Sequence, residues 1–320
     1  MAETRYIGIG PEATIGALGA VARYQDSVDS MKCTQGWIIP APTCKRAYEK
    51  RNLGPFRVSG NIGEFGVDPC GIIGDLLYGA LGSTTPTRRE STIAYYHTIV
   101  PADTLPSFTV RRGCEQTETI FEGLMVNNLK VRFQHGEELK ATAGMVGCHS
   151  EPTDQALQTP SISALQNFVY HQGTIEIVGS GEQNTRVFGG EININNNLPA
   201  SKGDLSSRYF SAKRYGHRTV TGFLSLYFDS ETERDRFIAG TAFDLVVTFT
   251  SSLIVGAYKY SLQLTLYECQ YLSDLAPNIK PMSESLVINA PFQAFYDVGA
   301  GNALKEISVI LQNTVESYTA

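Results

Sequence analysis

The residues that most often carry chemistry are scattered along this chain. Its five histidines are His97, His135, His149, His171 and His217. No two of them are four residues apart, which is the spacing that presents two imidazoles on one helix face to a metal ion. We therefore expect surface histidines or hydrogen-bonded structural ones, and we predict no metal site.

Two glycine-containing motifs match known functional motifs only in part. Gly8-Ile9-Gly10-Pro11 follows no convincing strand, lacks the third glycine of a dinucleotide-binding loop and has a proline where the helix should begin. Gly179-Ser180-Gly181 falls short of the Gly-x-Ser-x-Gly elbow of serine hydrolases, and a hairpin loop is the better interpretation. Neither motif predicts a nucleotide site or a nucleophile.

Clusters of like charge also have ordinary structural explanations. The acids between Asp229 and Asp235 could bind a cation, but the first turn of a helix favours acidic side chains in any case. The basic run Lys45 to Arg51 could meet an acidic partner, and a solvated loop is the default for such charges. We therefore predict no catalytic residue, no cofactor-binding residue, no metal ligand and no enzymatic activity.

Composition limits the remaining classes. The chain has 320 residues and a net charge of −6, which disfavours tight binding to phosphate backbones. It contains no run of about 20 apolar residues and does not begin like a secretory signal, so we expect a soluble protein made in the cytosol, with no membrane contact. Six cysteines without CxxC spacing predict free and mostly buried thiols: Cys33, Cys44, Cys70, Cys114, Cys148 and Cys269.

The second half has the clearest period of two, which is the signature of β-strands. Ser230 and Glu233 resemble a capping box that opens a short helix from Glu231 to Ala239, and Gly240 ends this helix. After this helix we predict four strands that form two hairpins. The first two strands form one hairpin, and the last two form the other through the turn-rich segment 297–302. The strand candidates are Val220 to Asp229, Phe243 to Phe249, Tyr258 to Leu266, Leu286 to Tyr296, and Ile307 to Leu311.

The first half has the same parts in the same order, a strand, a helix and more strands. The helix is predicted from Gly71 to Leu81, where Gly82 ends it. The strand candidates are Phe56 to Val67, Thr92 to Val100, Phe108 to Arg112, Gly123 to Phe133, and Glu138 to Met145.

The two halves also match in sequence. Arg57-Val58-Ser59-Gly60 aligns with Thr219-Val220-Thr221-Gly222 at an offset of 162 residues, and Val67-Asp68 meets Phe228-Asp229 at nearly the same offset. A repeat this long indicates a duplicated domain. We predict a first domain over 1–150, a linker over 151–160 and a second domain over 161–320.

The order of segments resembles phage tail tube proteins of the long, two-domain kind. The resemblance extends from about Arg5 to Leu311 and carries no catalytic fingerprint. It rests on Tyr6 to Gly16, Phe56 to Ile62, Ile73 to Gly82, His97 to Ile99, Leu105 to Val110, Gly123 to Val131, and Phe292 to Asp297.

The resemblance implies a mainly β fold of two tandem β-barrel or sandwich domains, each with a short flanking helix. It implies a major tail tube subunit in the virion, assembled in the host cytoplasm, whose stacked rings house the tape-measure protein and let viral double-stranded DNA pass. The implied partners are further copies of the chain, the tape-measure protein, the tail terminator and the baseplate or tip proteins. No catalytic residue or cofactor follows from it.

Several alternatives stay open at this stage. Another β-rich virion protein, such as a tail terminator, a head-completion subunit or a decoration protein, would fit the same pattern, as would a glycan-binding sandwich or an enzyme whose site only the tertiary structure assembles. Two domains per chain predict three chains in a pseudo-sixfold ring, and a hexamer in which only one half lines the channel is the competing arrangement. We expect the N-terminal arm, residues 1–32, and the segments 31–51 and 198–217 to reach neighbouring subunits.

Overall fold

The computed structural model describes residues 5–21, 23–38, 51–178, 186–199, 205, 207–209, 216–276, 285–296 and 305–319. These residues form a mainly β protein with two α-helices, which confirms the prediction of a mainly β fold. The parts of the expected segments over 39–50, 179–185, 200–204, 210–215 and 297–304 lie outside the described residues.

The strands follow one another along the whole described chain. The first ten are β1 (Arg5–Pro11), β2 (Arg23–Gln25), β3 (Lys32–Ile38), β4 (Asn52–Gly66), β5 (Gly82–Arg88), β6 (Tyr95–Pro101), β7 (Phe108–Cys114), β8 (Thr117–Gln134), β9 (Lys140–Gly147) and β10 (Thr153–Ala156). The other seven are β11 (Gly173–Val178), β12 (Val187–Asn195), β13 (Thr219–Tyr227), β14 (Phe243–Val255), β15 (Tyr258–Tyr271), β16 (Val287–Ala294) and β17 (Ile307–Asn313). The helices are α1 (Ile73–Leu81) and α2 (Thr232–Ala239).

All named strand pairs are antiparallel, and they build two main layers. The long sheet has the order β3-β4-β9-β8-β12-β13-β16. The first part of β8 extends beyond this sheet and pairs with β7 and β10. β7 in turn pairs with β1, and β1 pairs with β2. The back sheet has the order β11-β14-β15-β17-β6-β5. Each layer therefore contains strands from both halves of the chain.

One predicted hairpin is confirmed and the other is wrong. β14 and β15 pair with each other, as expected from their alternation. β16 instead pairs with β13 and the end of β15, whereas β17 lies between β15 and β6. The 14-residue strand β15 is long enough to take part in both layers, so it separates the two strands that follow it.

The pairing scheme occurs twice along the chain. In the first half, β7 pairs with β1 and β8, β4 with β3 and β9, and β8 with β9 and β10. In the second half, β14 pairs with β11 and β15, β13 with β12 and β16, and β15 with β16 and β17. Helix α1 follows β4, and helix α2 follows the equivalent strand β13. The resemblance between the halves therefore extends from sequence to topology.

Both helices form close to where the sequence predicts them, and each ends at a glycine in the left-handed region, Gly82 with φ +101° and Gly240 with φ +64°. The capping box at Ser230 is wrong, because the residue before α2 is Glu231 and no side chain caps the helix. Glu233 turns inward and accepts a hydrogen bond of 2.7 Å from the Tyr271 hydroxyl. A buried hydroxyl and nearby guanidinium groups are stronger partners than a solvated backbone N–H.

Some segments differ from their expected structure. Gly8 to Pro11 belongs to β1, which also places this part of the expected N-terminal arm in the chain's own sheet. β10 lies within the segment 151–160 and pairs with β8. The five described cysteines are free, but only Cys148 and Cys269 are buried, because Cys33 and Cys114 occupy strand positions that face solvent. No helix in the described ranges is long and apolar enough to span a membrane.

Candidate assembly face

The two halves of the chain are joined by direct strand pairing between β8 and β12. Seven residue pairs connect them, from Gly189 opposite Gln134 to Asn195 opposite Asn128. β12 also pairs with β13 along its other edge, so the long sheet continues across the boundary between the halves. We call the β8–β12 contact the internal junction.

One face of the long sheet is buried and the other is polar. Alternate residues such as Val131, Ile192 and Leu224 are at most 1% exposed and lie in the core. The residues between them form rows that cross the internal junction, and we call this surface the polar face. The first row is Asn61, Gly144, Asn128, Asn195 and Thr219; the second is Thr142, Lys130, Asn193, Thr221 and Gln293; the third is Lys140, Arg132, Glu191, Phe223 and Pro291.

The basic side chains of the polar face are matched by acids. Lys130 lies 3.3 Å from Glu191 across the internal junction, and Lys140 lies 3.4 Å from Glu137. Arg132 lies 3.7 Å from Glu64. Exposed pairs of this kind contribute about 0 to 1 kcal/mol to folding, so their main effect is on the surface potential. The face offers hydrogen-bonding groups without an excess of positive charge.

A buried polar cluster secures the internal junction at one end. Asn196 is 2% exposed and donates a hydrogen bond of 3.0 Å to the Ala80 carbonyl at the end of α1. Arg218 donates to Asn196 and, at 2.8 Å, to the Ala102 carbonyl, and it pairs with Glu306 at 3.2 Å. These contacts connect second-half side chains to first-half backbone, which fixes the relative position of the two halves.

The C-terminal residues form a second link between the halves. Tyr318 is fully buried against α1 and accepts a hydrogen bond of 2.6 Å from Asn313. The Arg23 guanidinium lies over the Tyr318 ring and makes a bidentate ion pair with the buried carboxylate of Asp75. Burial raises the pKa of Asp75 to about 6 although Arg23 opposes this shift, and burial lowers the pKa of His97.

Two clefts lie at opposite ends of the joined strands. One, of about 420 Å³, lies at the Gln134 end and is lined by aromatic side chains that include Phe188 and Tyr227. The other, of about 460 Å³, lies at the opposite end beside Arg218 and Tyr296. Neither holds a cluster of three potential metal ligands, and none was found among the described residues.

The structure places the sequence candidates apart from one another. His97 is buried and its Nε2 lies 2.8 Å from the Val315 carbonyl oxygen, and the His135 ring contacts Tyr170. Glu233, from the acidic cluster, is buried among arginine side chains. Strand β12 was not among the predicted strands, although the alternation of isoleucine and asparagine from Ile192 to Asn195 is a strand signal.

Two comparisons with known proteins bear on the family of this mainly β chain. A search among curated proteins returned no relative that matches the chain. A family model described as phage tail tube protein matches residues 4–294. The match covers most of the chain and both halves of the long sheet, and the chain belongs to the phage tail tube protein family.

Proposed function

We propose that this chain is the major tail tube subunit, and that the polar face of the long sheet lines the channel of the tube. The observation that supports this most is the internal junction, which joins both halves into one continuous sheet. A sheet that already crosses from one half to the next can extend around a ring, because each further copy satisfies the open edge of the one before.

The lining is suited to passing DNA without holding it. Double-stranded DNA carries one negative charge per about 1.7 Å, and a wall of unpaired lysines and arginines would bind it. On the polar face Lys130, Arg132 and Lys140 each lie within 4 Å of a glutamate. We propose that this neutral lining lets viral DNA pass without specific binding.

We further propose that three chains close each ring. In this arrangement the domains 1–150 and 161–320, with 151–160 between them, alternate around a pseudo-sixfold circle. The repeated pairing scheme supports two equivalent units per chain. A hexamer with one lumen-lining half per chain is the competing arrangement, and an image of the ring with six copies of the chain would reject the trimer.

Stacked rings would surround the tape-measure protein, and the ends of the tube would meet the tail terminator and the baseplate or tip proteins. The two clefts lie at opposite ends of the joined strands, where neighbouring rings would make contact. We propose assembly in the host cytoplasm and no catalytic, cofactor-binding or metal-binding role.

Electron microscopy of the purified protein tests the proposal directly. We expect rings or hollow tubes, and a protein that stays monomeric at high concentration would contradict it. The channel lining is tested by adding short duplex DNA to tubes of the variant Glu64→Gln, Glu137→Gln, Glu191→Gln at physiological salt.

This triple variant leaves the basic residues of the polar face unmatched, so its tubes should retain DNA. A matched control with the same charge change outside the polar face is Glu115→Gln, Glu151→Gln, Glu268→Gln. Wild-type and control tubes should not retain DNA, and equal retention by both variants would exclude the polar face as the lining.

A further inference from the structure

The repeated pairing scheme relates two edge segments in register. Asp29 pairs with Ile62 as Gly190 pairs with Leu224, and the offset between these pairs agrees with the offset of the sequence repeat. Three further pairs match in the same way: Lys32–Ser59 matches Asn193–Thr221, Cys33–Val58 matches Ile194–Val220, and Thr34–Arg57 matches Asn195–Thr219. The segment Asp29–Thr34 is therefore the first-half equivalent of the part of β12 that forms the internal junction.

The two equivalents differ in their outer edge. β12 pairs with β8 there, whereas the outer edge of Asp29–Thr34 pairs with no strand among the described residues. Ser30 donates its N–H to Asn61, so the backbone groups of the next residue, Met31, turn away from β4. The Met31 N–H donates to the Asp29 carboxylate at 2.9 Å, and the Met31 carbonyl accepts from Arg112 at 3.3 Å. Side chains thus cap an edge that a strand occupies in the internal junction.

The second half carries the matching equivalent of β8. Tyr271 of β15 pairs with Phe292 of β16 as Val126 of β8 pairs with Met145 of β9. The pairing continues one residue further, because the Leu272 N–H donates to the Pro291 carbonyl at 2.9 Å. Pro291 corresponds to Gly144, which lies opposite Asn128 after a register shift between Val126 and Asn128, so Leu272 corresponds to Asn128. Residues 272–276 are therefore the equivalent of the start of the β8 segment that pairs with β12.

We propose that Asp29–Thr34 of one chain pairs in antiparallel orientation with Leu272–Ala276 of a second copy, in the register of the internal junction. This inference rests on the proposed function and adds the contact that closes the ring. It places Lys32 opposite Asp274, Met31 opposite Leu275 and Thr34 opposite Leu272.

The side chains in this register are complementary. Met31 is 4% and Leu275 is 1% exposed, and the equivalent pair in the internal junction is Ile192 with Val131, which are also apolar. Lys32 is exposed, and the Asp274 carboxylate, which lies 3.5 Å from Arg234, is still 57% exposed, so a cation meets an anion on the polar side of the contact. A slip of one residue would turn the apolar side chains of one strand to the polar side of the sheet. The alternation of apolar and polar residues therefore favours this register.

The capping groups explain how a lone chain avoids indiscriminate strand addition. Asp29 and Arg112 lie 3.5 Å apart and occupy the outward N–H and C=O of Met31. When a second copy pairs, its backbone around Leu275 replaces them. Charged side chains at an open edge are a common protection against unspecific pairing.

A disulfide across the contact tests the register. Lys32→Cys and Asp274→Cys are combined in a Cys33→Ser background, and assembled rings or tubes are oxidised and run on a non-reducing gel. Directly opposite residues in antiparallel strands have Cα atoms about 4.5–5.5 Å apart, which a disulfide spans. The matched control, Lys32→Cys with Leu272→Cys, is shifted by two residues and should cross-link far less.

Three outcomes separate the claims. Covalent multimers in the Lys32/Asp274 pair but not in the shifted pair support the register. Rings or tubes that form without this cross-link, or with equal cross-linking of both pairs, overturn the register and leave the tube function standing. A protein that forms no rings or tubes at all overturns the tube function and this contact with it.

A charge exchange gives an independent test that needs no cysteine. Lys32→Asp or Asp274→Lys alone places like charges opposite each other and should reduce tube yield several-fold, and combining both should restore it. Equal loss in the double variant contradicts the pairing. Circular dichroism of each single variant shows whether it is folded, so that loss of assembly is not confused with loss of folding.

Discussion

The helices α1 and α2 occupy equivalent places in the two halves and differ sharply in their surroundings. Eight of the nine residues of α1 are buried, whereas Glu233 is the only buried residue of α2. Each helix nevertheless has one buried acid seven residues before its terminal glycine, Asp75 before Gly82 and Glu233 before Gly240. The same scaffold therefore carries an internal helix in one half and a surface helix in the other.

The covering of α1 accounts for the difference. Tyr318 packs against it so closely that a Cβ atom at Gly74 would lie 2.1 Å from its ring, and the β5–β6 hairpin has no second-half counterpart among the described strands. No equivalent cover lies over α2 in the described part of the chain, where Ile238 is 67% exposed. The first half therefore buries its helix, whereas the second half leaves most of its helix surface exposed.

Removing the buried acid of α1 should have the largest effect on stability. Asp75→Ala leaves the Arg23 guanidinium, with only 13% of its side chain exposed, without its carboxylate. Breaking a buried ion pair on one side costs about 3 to 5 kcal/mol. Urea unfolding should show this loss, and the double variant Arg23→Met, Asp75→Leu should recover most of it. A loss below about 1 kcal/mol in the single variant would contradict the buried pair.

The two terminal glycines offer a matched comparison of backbone and packing. A Cβ at Gly82 would lie 2.5 Å from the Thr104 carbonyl oxygen, whereas one at Gly240 would meet nothing within 4 Å. Both have positive φ, which costs an alanine about 1 to 2 kcal/mol. We expect Gly82→Ala to cost about 3 kcal/mol and Gly240→Ala about 1 kcal/mol in the free energy of unfolding. Equal costs would show that the backbone conformation alone matters.

The acid of α2 should be less critical than its counterpart in α1. Glu233→Gln keeps an acceptor for the Tyr271 hydroxyl and removes the charge that faces Arg186 and Arg236 at 3.8 and 3.7 Å. We expect a loss of about 2 kcal/mol, the usual range for a hydrogen bond to a charged group. Chemical denaturation of this variant beside Asp75→Asn measures the difference between the halves, and a larger loss for Glu233→Gln would reverse the comparison.

Local signals in the sequence predicted the helices and most long strands, because alternation and a glycine stop are properties of a few neighbouring residues. Partners far along the chain could not be predicted in this way. The capping box at Ser230 fails because Tyr271, a distant residue, attracts Glu233 inward. The alternation of polar and apolar residues in each strand is enough to predict the polar face. The pairing of β8 with β12 could not be predicted from the sequence, because nothing in Ile192 or Ile194 specifies the neighbouring strand.

The pH dependence of stability should distinguish the α1 acid from a simple surface pair, with the smallest effect of the four. Burial raises the folded-state pKa of Asp75 from 3.8 to about 6, so the folded chain takes up this proton at higher pH than the unfolded chain. The stability from this group is complete below pH 3.8 and is lost as the pH rises through about 6. Between pH 7 and pH 5 the wild type should therefore gain about 1 kcal/mol relative to Arg23→Met, Asp75→Leu. His97, whose pKa burial lowers, has the opposite trend; both proteins contain it, so the larger part of its effect, which comes from burial, cancels in the difference, and only the smaller lowering by Arg23 remains. Urea unfolding of both proteins at the two pH values measures this difference, and a constant difference would mean that the carboxyl is ionised throughout.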